Sequence, residues 1–204
     1  MYTGITRGAF PVANVSRQPD LLTYDVELPE ALLEGLVSGA SVSIDGVCQT
    51  VVAIEGSLVR FDAIAETLQL TTLGDLAPGQ KVAVERSSRV GDEVGGHDVA
   101  GHVSGTGRIS SRKVDGHVWD LEITVPARWM RYISTKGFIA VDGSSLTVGE
   151  RDASGSFWIH LIPETLRLTN LGEKNEGDRV NIELDARTVA IVDTVERVLA
   201  ERDA

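Results

Sequence analysis

Cysteine is almost missing from this 204-residue chain, which has Cys48 and no other thiol. One thiol rules out an internal disulfide framework and agrees with a reducing compartment. Basic residues are also scarce: 19 Lys and Arg stand against 30 Asp and Glu, for a net charge of -11, and they form no cluster. Because neutralised phosphates supply most of the affinity for nucleic acid, that balance excludes nucleic acid as a partner, and anionic membranes with it. No run of eighteen apolar residues occurs, and the opening MYTGITRGAF lacks the charged-then-apolar pattern of an export signal. A soluble, cytoplasmic chain is the expectation. His97 and His102, with Asp98 between them, match no zinc spacing and have no second ligand cluster, so no metal is expected. A G-x-G-x-x-G leading into alternating strands and helices is absent too, which excludes a nicotinamide-binding domain.

What the chain has is repetition. GHDVAGHVSGTGRI at 96–109 echoes the opening: at one constant offset Gly4 and Gly8 fall on Gly101 and Gly105, with His102 where the start has Ile5. In the same register Pro29 falls on Pro126, and Asp45, Gly46, Thr50 and Val51 fall on Asp142, Gly143, Thr147 and Val148. One residue of slip then brings IAETLQLTTLG onto IPETLRLTNLG, with eight identities in eleven positions. The chain is two copies of one unit.

Within each copy the apolar residues mostly alternate over short segments: LTYDVEL, SVSIDGVCQTVVAI, SLVRFDAI and KVAVERS, then VWDLEITV, GFIAVDGSSLTVGE, FWIHLI and RVNIEL. Period-two patterning with Gly-rich breaks predicts antiparallel strands closing a sandwich or barrel. The fold class is all-β, with one short helix per copy at PEALLEGL and PARWMRYI, each beginning at proline. Domains are expected at 1–90 and 91–186, joined by the polar ERSSRVGDEVGG at 85–96, with a helix over 187–204. In that helix Val189, Val192, Val195 and Leu199, with Ile191 and Val198, form an apolar stripe that suits another subunit or the chain's own second domain.

Cys48 and Ser145 occupy the same position in the two copies, as a duplicated and diverged site would have it. A lone cysteine is also commonly a small core residue, but Asp45, Cys48 and Thr50 cannot all be buried among apolar groups without partners. His102 marks an asymmetry between the copies and could move a proton near neutral pH, whereas His97 reads equally well as a solvated loop residue. Glu66 with Thr67, and Glu164 with Thr165, either cap turns or line a site at a barrel corner.

Together TGI, DGVCQTV, AETLQLTTLGDL, GDEVGGHDVAGHV, KGFIAVDGSSLTV, IPETLRLTNLG and VNIELDARTVAIVDTVERVL resemble the riboflavin synthases of the alpha-chain type over essentially the whole chain. That resemblance implies two six-stranded Greek-key barrels in tandem and a C-terminal helix through which three chains associate. It implies transferase chemistry in riboflavin biosynthesis. Two molecules of 6,7-dimethyl-8-ribityllumazine exchange a four-carbon unit, giving riboflavin and 5-amino-6-ribitylamino-uracil without cofactor or metal, and lumazine synthase is an expected partner. Related lumazine proteins bind the same ring without catalysis, but their second-barrel motifs have decayed, and DGSSLTV and IPETLRLTNL are intact here.

Carried over residue by residue, the resemblance assigns one lumazine to Gly4, Ile5 and Thr6 with Cys48, Gln49, Thr50, Asp62, Ala63, Ile64, Ala65, Glu66 and Thr67. The other falls to Gly101, His102, Val103, Lys136, Ser145, Leu146 and Thr147 with His160, Leu161, Ile162, Pro163, Glu164 and Thr165. Ser41, Cys48, His102, Ser145 and Asp185 are the residues implied for turnover. Tyr2, Gln49 and Asp98 depart from the family's usual phenylalanine, apolar residue and leucine, and the added hydroxyl of Tyr2 needs a partner.

Overall fold

The computed structural model describes residues 1–202. The first copy runs β1 Ala9–Gln18, β2 Leu21–Glu27, α1 Glu30–Leu33, β3 Ser41–Ile44, β4 Val47–Glu55, β5 Leu58–Ile64, α2 Ala65–Leu70 and β6 Lys81–Arg86. The second runs β7 Gly105–Asp115, β8 Val118–Thr124, β9 Phe138–Val141, β10 Ser144–Asp152, β11 Ser156–Leu161, α3 Pro163–Leu168 and β12 Arg179–Leu184, and α4 Ala186–Arg202 follows. Each copy closes a six-stranded antiparallel barrel, in the order β1-β2-β5-β4-β3-β6 and its equivalent. Because β2 pairs with β5 rather than β3, the connection through α1 crosses the barrel end, as a Greek key requires.

The alternation puts one face of each strand inside. Along β5, Val59, Phe61 and Ala63 are buried while Asp62 and Ile64 are exposed. Tyr24 and Phe61 lie against each other in the first core, and Leu121, Ile123, Phe157 and Ile159 build the second. SVSIDGVCQTVVAI and GFIAVDGSSLTVGE are each two strands, because Asp45-Gly46 and Asp142-Gly143 adopt positive φ at both central positions and turn the chain back in two residues. The two turns meet back to back: a Cβ on Gly46 would stand 2.6 Å from the amide nitrogen of Gly143.

Several elements escape the period-two pattern. Strands β1 and β7 carry register shifts at Val12/Asn14 and Ile109/Ser111 that reset their alternation, so their sequences do not read as strands. The helices expected at PEALLEGL and PARWMRYI shrink to the four residues of α1 and a 3-10 turn at Ala127–Trp129, with Pro29 and Pro126 just ahead of them rather than inside. The corner blocks are helical instead, as α2 and α3, with Pro163 in the first turn of α3. Glu85 and Arg86 belong to β6 rather than to a linker, and Glu85 is buried.

Helix α4 begins one residue earlier than expected, and positions 203 and 204 of the predicted helix lie outside the described residues. Val189 packs on the second core, and Arg131 and Tyr132 hold Glu196 and Asp193. Ile191, Val195, Val198 and Leu199 stay exposed. No described helix is long and apolar enough to cross a membrane.

Candidate active site

Strands β6 and β12 are buried along nearly their whole length, so both faces are covered and the alternation stops there. The outward carboxylates of two equivalent residues explain what covers them. Glu85 Oε1 accepts from the Thr3 amide and hydroxyl at 2.7 Å each, and its Oε2 accepts from the Gly4 amide at 3.0 Å. Glu183 accepts from the amides of Ala100 and Gly101 at 2.7 and 3.0 Å. Each carboxylate therefore grips the amides just before and at the glycine of a short extended segment. Burial raises both carboxyls, and these hydrogen bonds oppose it.

The two segments are seated crosswise. Gly4 belongs to the first copy but lies on the second barrel, its carbonyl accepting from the Ser145 amide at 2.8 Å. Thr6 Oγ1 donates to the Leu168 carbonyl in α3. Gly101 belongs to the second copy but accepts from the Cys48 amide at 2.9 Å, and Val103 joins the first barrel's core. Gly4–Thr6 and Gly101–Val103, expected beside Cys48 and Ser145 respectively, lie instead against the other copy's barrel. The cause is the pair of glutamates, whose strands lie where the two barrels meet.

On the second barrel this arrangement encloses a cleft of about 230 Å³, lined by Gly4, Ile5, Thr6, Ser144–Leu146, Ile162, Glu164, Thr165, Leu168 and Thr169. Apolar walls from Ile5, Leu146, Ile162 and Leu168 with polar groups at Thr6, Ser145, Glu164 and Thr165 suit a flat ring with polar edges. Leu161 points into the core. Thr147 and Pro163 are exposed, and exposed His160 bonds Asp120 through Nδ1 at 2.6 Å. Lys136 is exposed on a positive-φ turn outside the cleft, its amide donating to Val148. His97 is not solvated: it is buried, with Nδ1 2.7 Å from Ser145 Oγ.

At the equivalent place on the first barrel, the hydroxyl of Tyr2 finds its partner in Cys48 Sγ at 3.2 Å. Burial, first, and the thiol push the Tyr2 phenol well above its ordinary value. Thr50 is exposed beside half-buried Ser41, its cross-strand partner. Asp62 accepts from Thr23 at 2.6 Å, while Ile64, Ala65, Glu66 and Thr67 turn the corner into α2. Ala63 and Gln49 face the core, where the Gln49 amide oxygen accepts from the Tyr24 hydroxyl, so polarity at position 49 is satisfied inside the barrel rather than at the site. His102 is exposed. Asp185 caps α4 through the amide and hydroxyl of Thr188; burial would raise its carboxyl, but these bonds outweigh it and hold it low. Asp98 pairs with Arg187 at the start of α4.

Between the barrels lie Asp45 and Asp142, both buried, with Lys174 3.3 Å from Asp142. Burial, and then the charge of Asp142, push Asp45 up to about 8. A larger cleft of about 430 Å³ runs past Lys174, but its walls are taken up by ion pairs such as Lys81 with Glu173 and Arg179 with Asp75. The cleft at Ser145, with its unpaired apolar walls, is the better candidate. Sequence reasoning missed Glu85, Glu183 and the burial of His97; the matching positions of Glu85 and Glu183 in KVAVERS and RVNIEL were the available signal for the first two.

A family model described as lumazine binding domain matches residues 3–87 and again residues 100–185. The chain is 46% identical over 210 residues to riboflavin synthase of Escherichia coli (strain K12), covering all of this chain and 95% of that one. It is 41% identical to riboflavin synthase of Chlamydia pneumoniae, covering 98% of each. Among solved structures, LumP complexed with riboflavin superposes with a TM-score of 0.85 at 25% identity, covering 91% of this chain and 100% of that one. LumP complexed with 6,7-dimethyl-8-(1'-D-ribityl) lumazine gives 0.82 at the same identity, covering 91% and 99%.

Proposed function

The chain belongs to the lumazine-binding domain family, and from that membership we propose that it works as a riboflavin synthase. Two molecules of 6,7-dimethyl-8-ribityllumazine are its substrates: one gives up a four-carbon unit to the other, and riboflavin and 5-amino-6-ribitylamino-uracil leave. Donor and acceptor are the same compound, so the atoms balance without any co-reactant.

The observation that carries this reading is the crosswise pair of equivalent sites, Gly4 on Ser145 and Gly101 on Cys48. A reaction between two identical rings calls for two related seats, and a duplicated barrel supplies them. Holding both rings converts a bimolecular encounter into an effectively intramolecular one. Removing a proton from the ring methyl leaves an anion, which preorganised hydroxyl, thiol and amide groups stabilise. Ser145 and Thr6 serve one ring; Cys48, Thr50, His102 and Asp62–Thr67 serve the other; Ser41, Lys136 and Asp185 complete the polar surroundings.

The reading extends to a homotrimer in which the exposed stripe Ile191, Val195, Val198 and Leu199 of α4 joins three chains, placing the first barrel of one against the second of its neighbour. It also takes in a cytoplasmic location and a partnership with lumazine synthase, which supplies the substrate. The test is to incubate the purified protein with 6,7-dimethyl-8-ribityllumazine alone. Equal amounts of riboflavin and the pyrimidine support a synthase, whereas tight binding without product would make it a lumazine-binding protein.

A further inference from the structure

We propose that His97 is a positioning residue that holds the Ser145 hydroxyl toward the ring bound in the second barrel's cleft. The inference rests on the synthase reading and adds a residue to it. His97 is 8% exposed, and its ring stacks on Phe138 with centroids 5.2 Å apart and planes 16° from parallel and places Nδ1 2.7 Å from Ser145 Oγ. Its backbone amide is fixed as well, donating to the Thr3 carbonyl at 3.2 Å. The chain can come this close only because Gly96 precedes it: a Cβ there would stand 2.2 Å from the Thr3 carbonyl and 2.7 Å from Ser145 Cβ.

Ring, backbone and neighbouring glycine thus converge on the hydroxyl of Ser145, a residue that lines the cleft. A serine hydroxyl otherwise rotates freely, and a bond from a ring held by stacking leaves one orientation. Burial disfavours the imidazolium while the carboxylates of Asp185 and Asp98 oppose that effect, so the ring stays neutral near pH 7 and keeps one nitrogen able to donate and one able to accept. Cys48, the equivalent residue of the first barrel, is held by the Tyr2 hydroxyl instead, so the two seats present different groups in different ways. That difference gives the two identical substrates different surroundings.

The test is a double-mutant cycle of His97→Phe and Ser145→Ala in the full-length protein, with His97→Asn as a rescue that sets an amide near the position of Nδ1. His97→Phe keeps a ring to stack on Phe138 and removes the bond. Loss of positioning acts on a scale of up to about a hundredfold, so kcat should fall roughly tenfold to a hundredfold with KM within about twofold. The double variant should be no worse than Ser145→Ala alone, and His97→Asn should recover much of the loss. Full kcat in His97→Phe, or multiplying effects in the double variant, would overturn the proposal. If the wild type bound 6,7-dimethyl-8-ribityllumazine without turning it over, the synthase reading would fail instead; the same cycle in ligand affinity would then decide whether His97 acts through Ser145.

Discussion

Replacing Glu85 by glutamine tests the crosswise seating directly. The carboxylate accepts three hydrogen bonds, two on Oε1 at 2.7 Å and one on Oε2 at 3.0 Å. Glutamine keeps one acceptor oxygen and turns an NH2 toward the Gly4 amide, leaving a buried donor facing a donor. Such an orphaned group costs about 1–3 kcal/mol, and the surviving bonds lose their charge assistance. Taking about 2 kcal/mol for the loss of grip, the population of unseated Thr3–Thr6 rises roughly thirtyfold at about 1.4 kcal/mol per decade. If the whole molecule felt that loss, Tm would fall by about 4–8 °C for a chain of this size. Amide hydrogen exchange should therefore quicken at Thr3 and Gly4 and leave Ala100 and Gly101 unchanged, and riboflavin formation should drop because Gly4–Thr6 line the second barrel's cleft. Glu183→Gln should do the reverse, freeing Ala100 and Gly101 over Cys48. Equal exchange at both segments in either variant, or none, would refute the assignment of one segment to each carboxylate.

Other substitutions follow from the same contacts. Gly4→Ala combines a left-handed φ of +73° with a Cβ 2.5 Å from Ser145 Cβ, and should cost about 2–5 kcal/mol in urea unfolding from conformational strain and overpacking together. Gly177→Ala, at φ +93° with nothing within 4 Å, should cost only the strain of about 1–2 kcal/mol. Asp45 is raised to about 8 in the folded chain, above its unfolded value of about 4, so the folded state binds the extra proton and stability should decline as pH rises between those values. Asp45→Asn should flatten that slope in urea midpoints measured against pH. Tyr2→Phe removes one hydroxyl donor to Cys48 Sγ and should lower stability by no more than about 1 kcal/mol in urea unfolding. If α4 joins three chains as proposed, charged substitutions at Val195 and Leu199, both about half exposed on α4, should shift sedimentation from trimer to monomer, and should abolish turnover if the site spans two chains.

Much of this molecule can be read from letters alone. The repeat declares two barrels of one design, because a shared pattern at constant offset requires a shared fold. Alternation in SLVRFDAI and FWIHLI declares strands and their buried faces, since successive side chains in a strand point opposite ways. The equivalence of Cys48 and Ser145 marks the paired positions on which the proposed seats are built. Alternation in KVAVERS and RVNIEL also declares β6 and β12, but it carries no information about what covers a strand's outward face, so the burial of Glu85 and Glu183 is not legible there.

Only the tertiary structure decided which segment serves which barrel. Gly4–Thr6 and Gly101–Val103 carry the same local signal, and nothing in the chain's order states that each crosses to the other copy; the carboxylates that hold them stand about eighty residues away. The same holds for His97, which in sequence is a histidine in a glycine-rich loop and in space is a buried ring bonded to Ser145. Local pattern specifies the faces of strands, because that information lies in adjacent residues. The partner a face or a loop meets is settled by two barrels packing together, and that lies in no single stretch of the sequence.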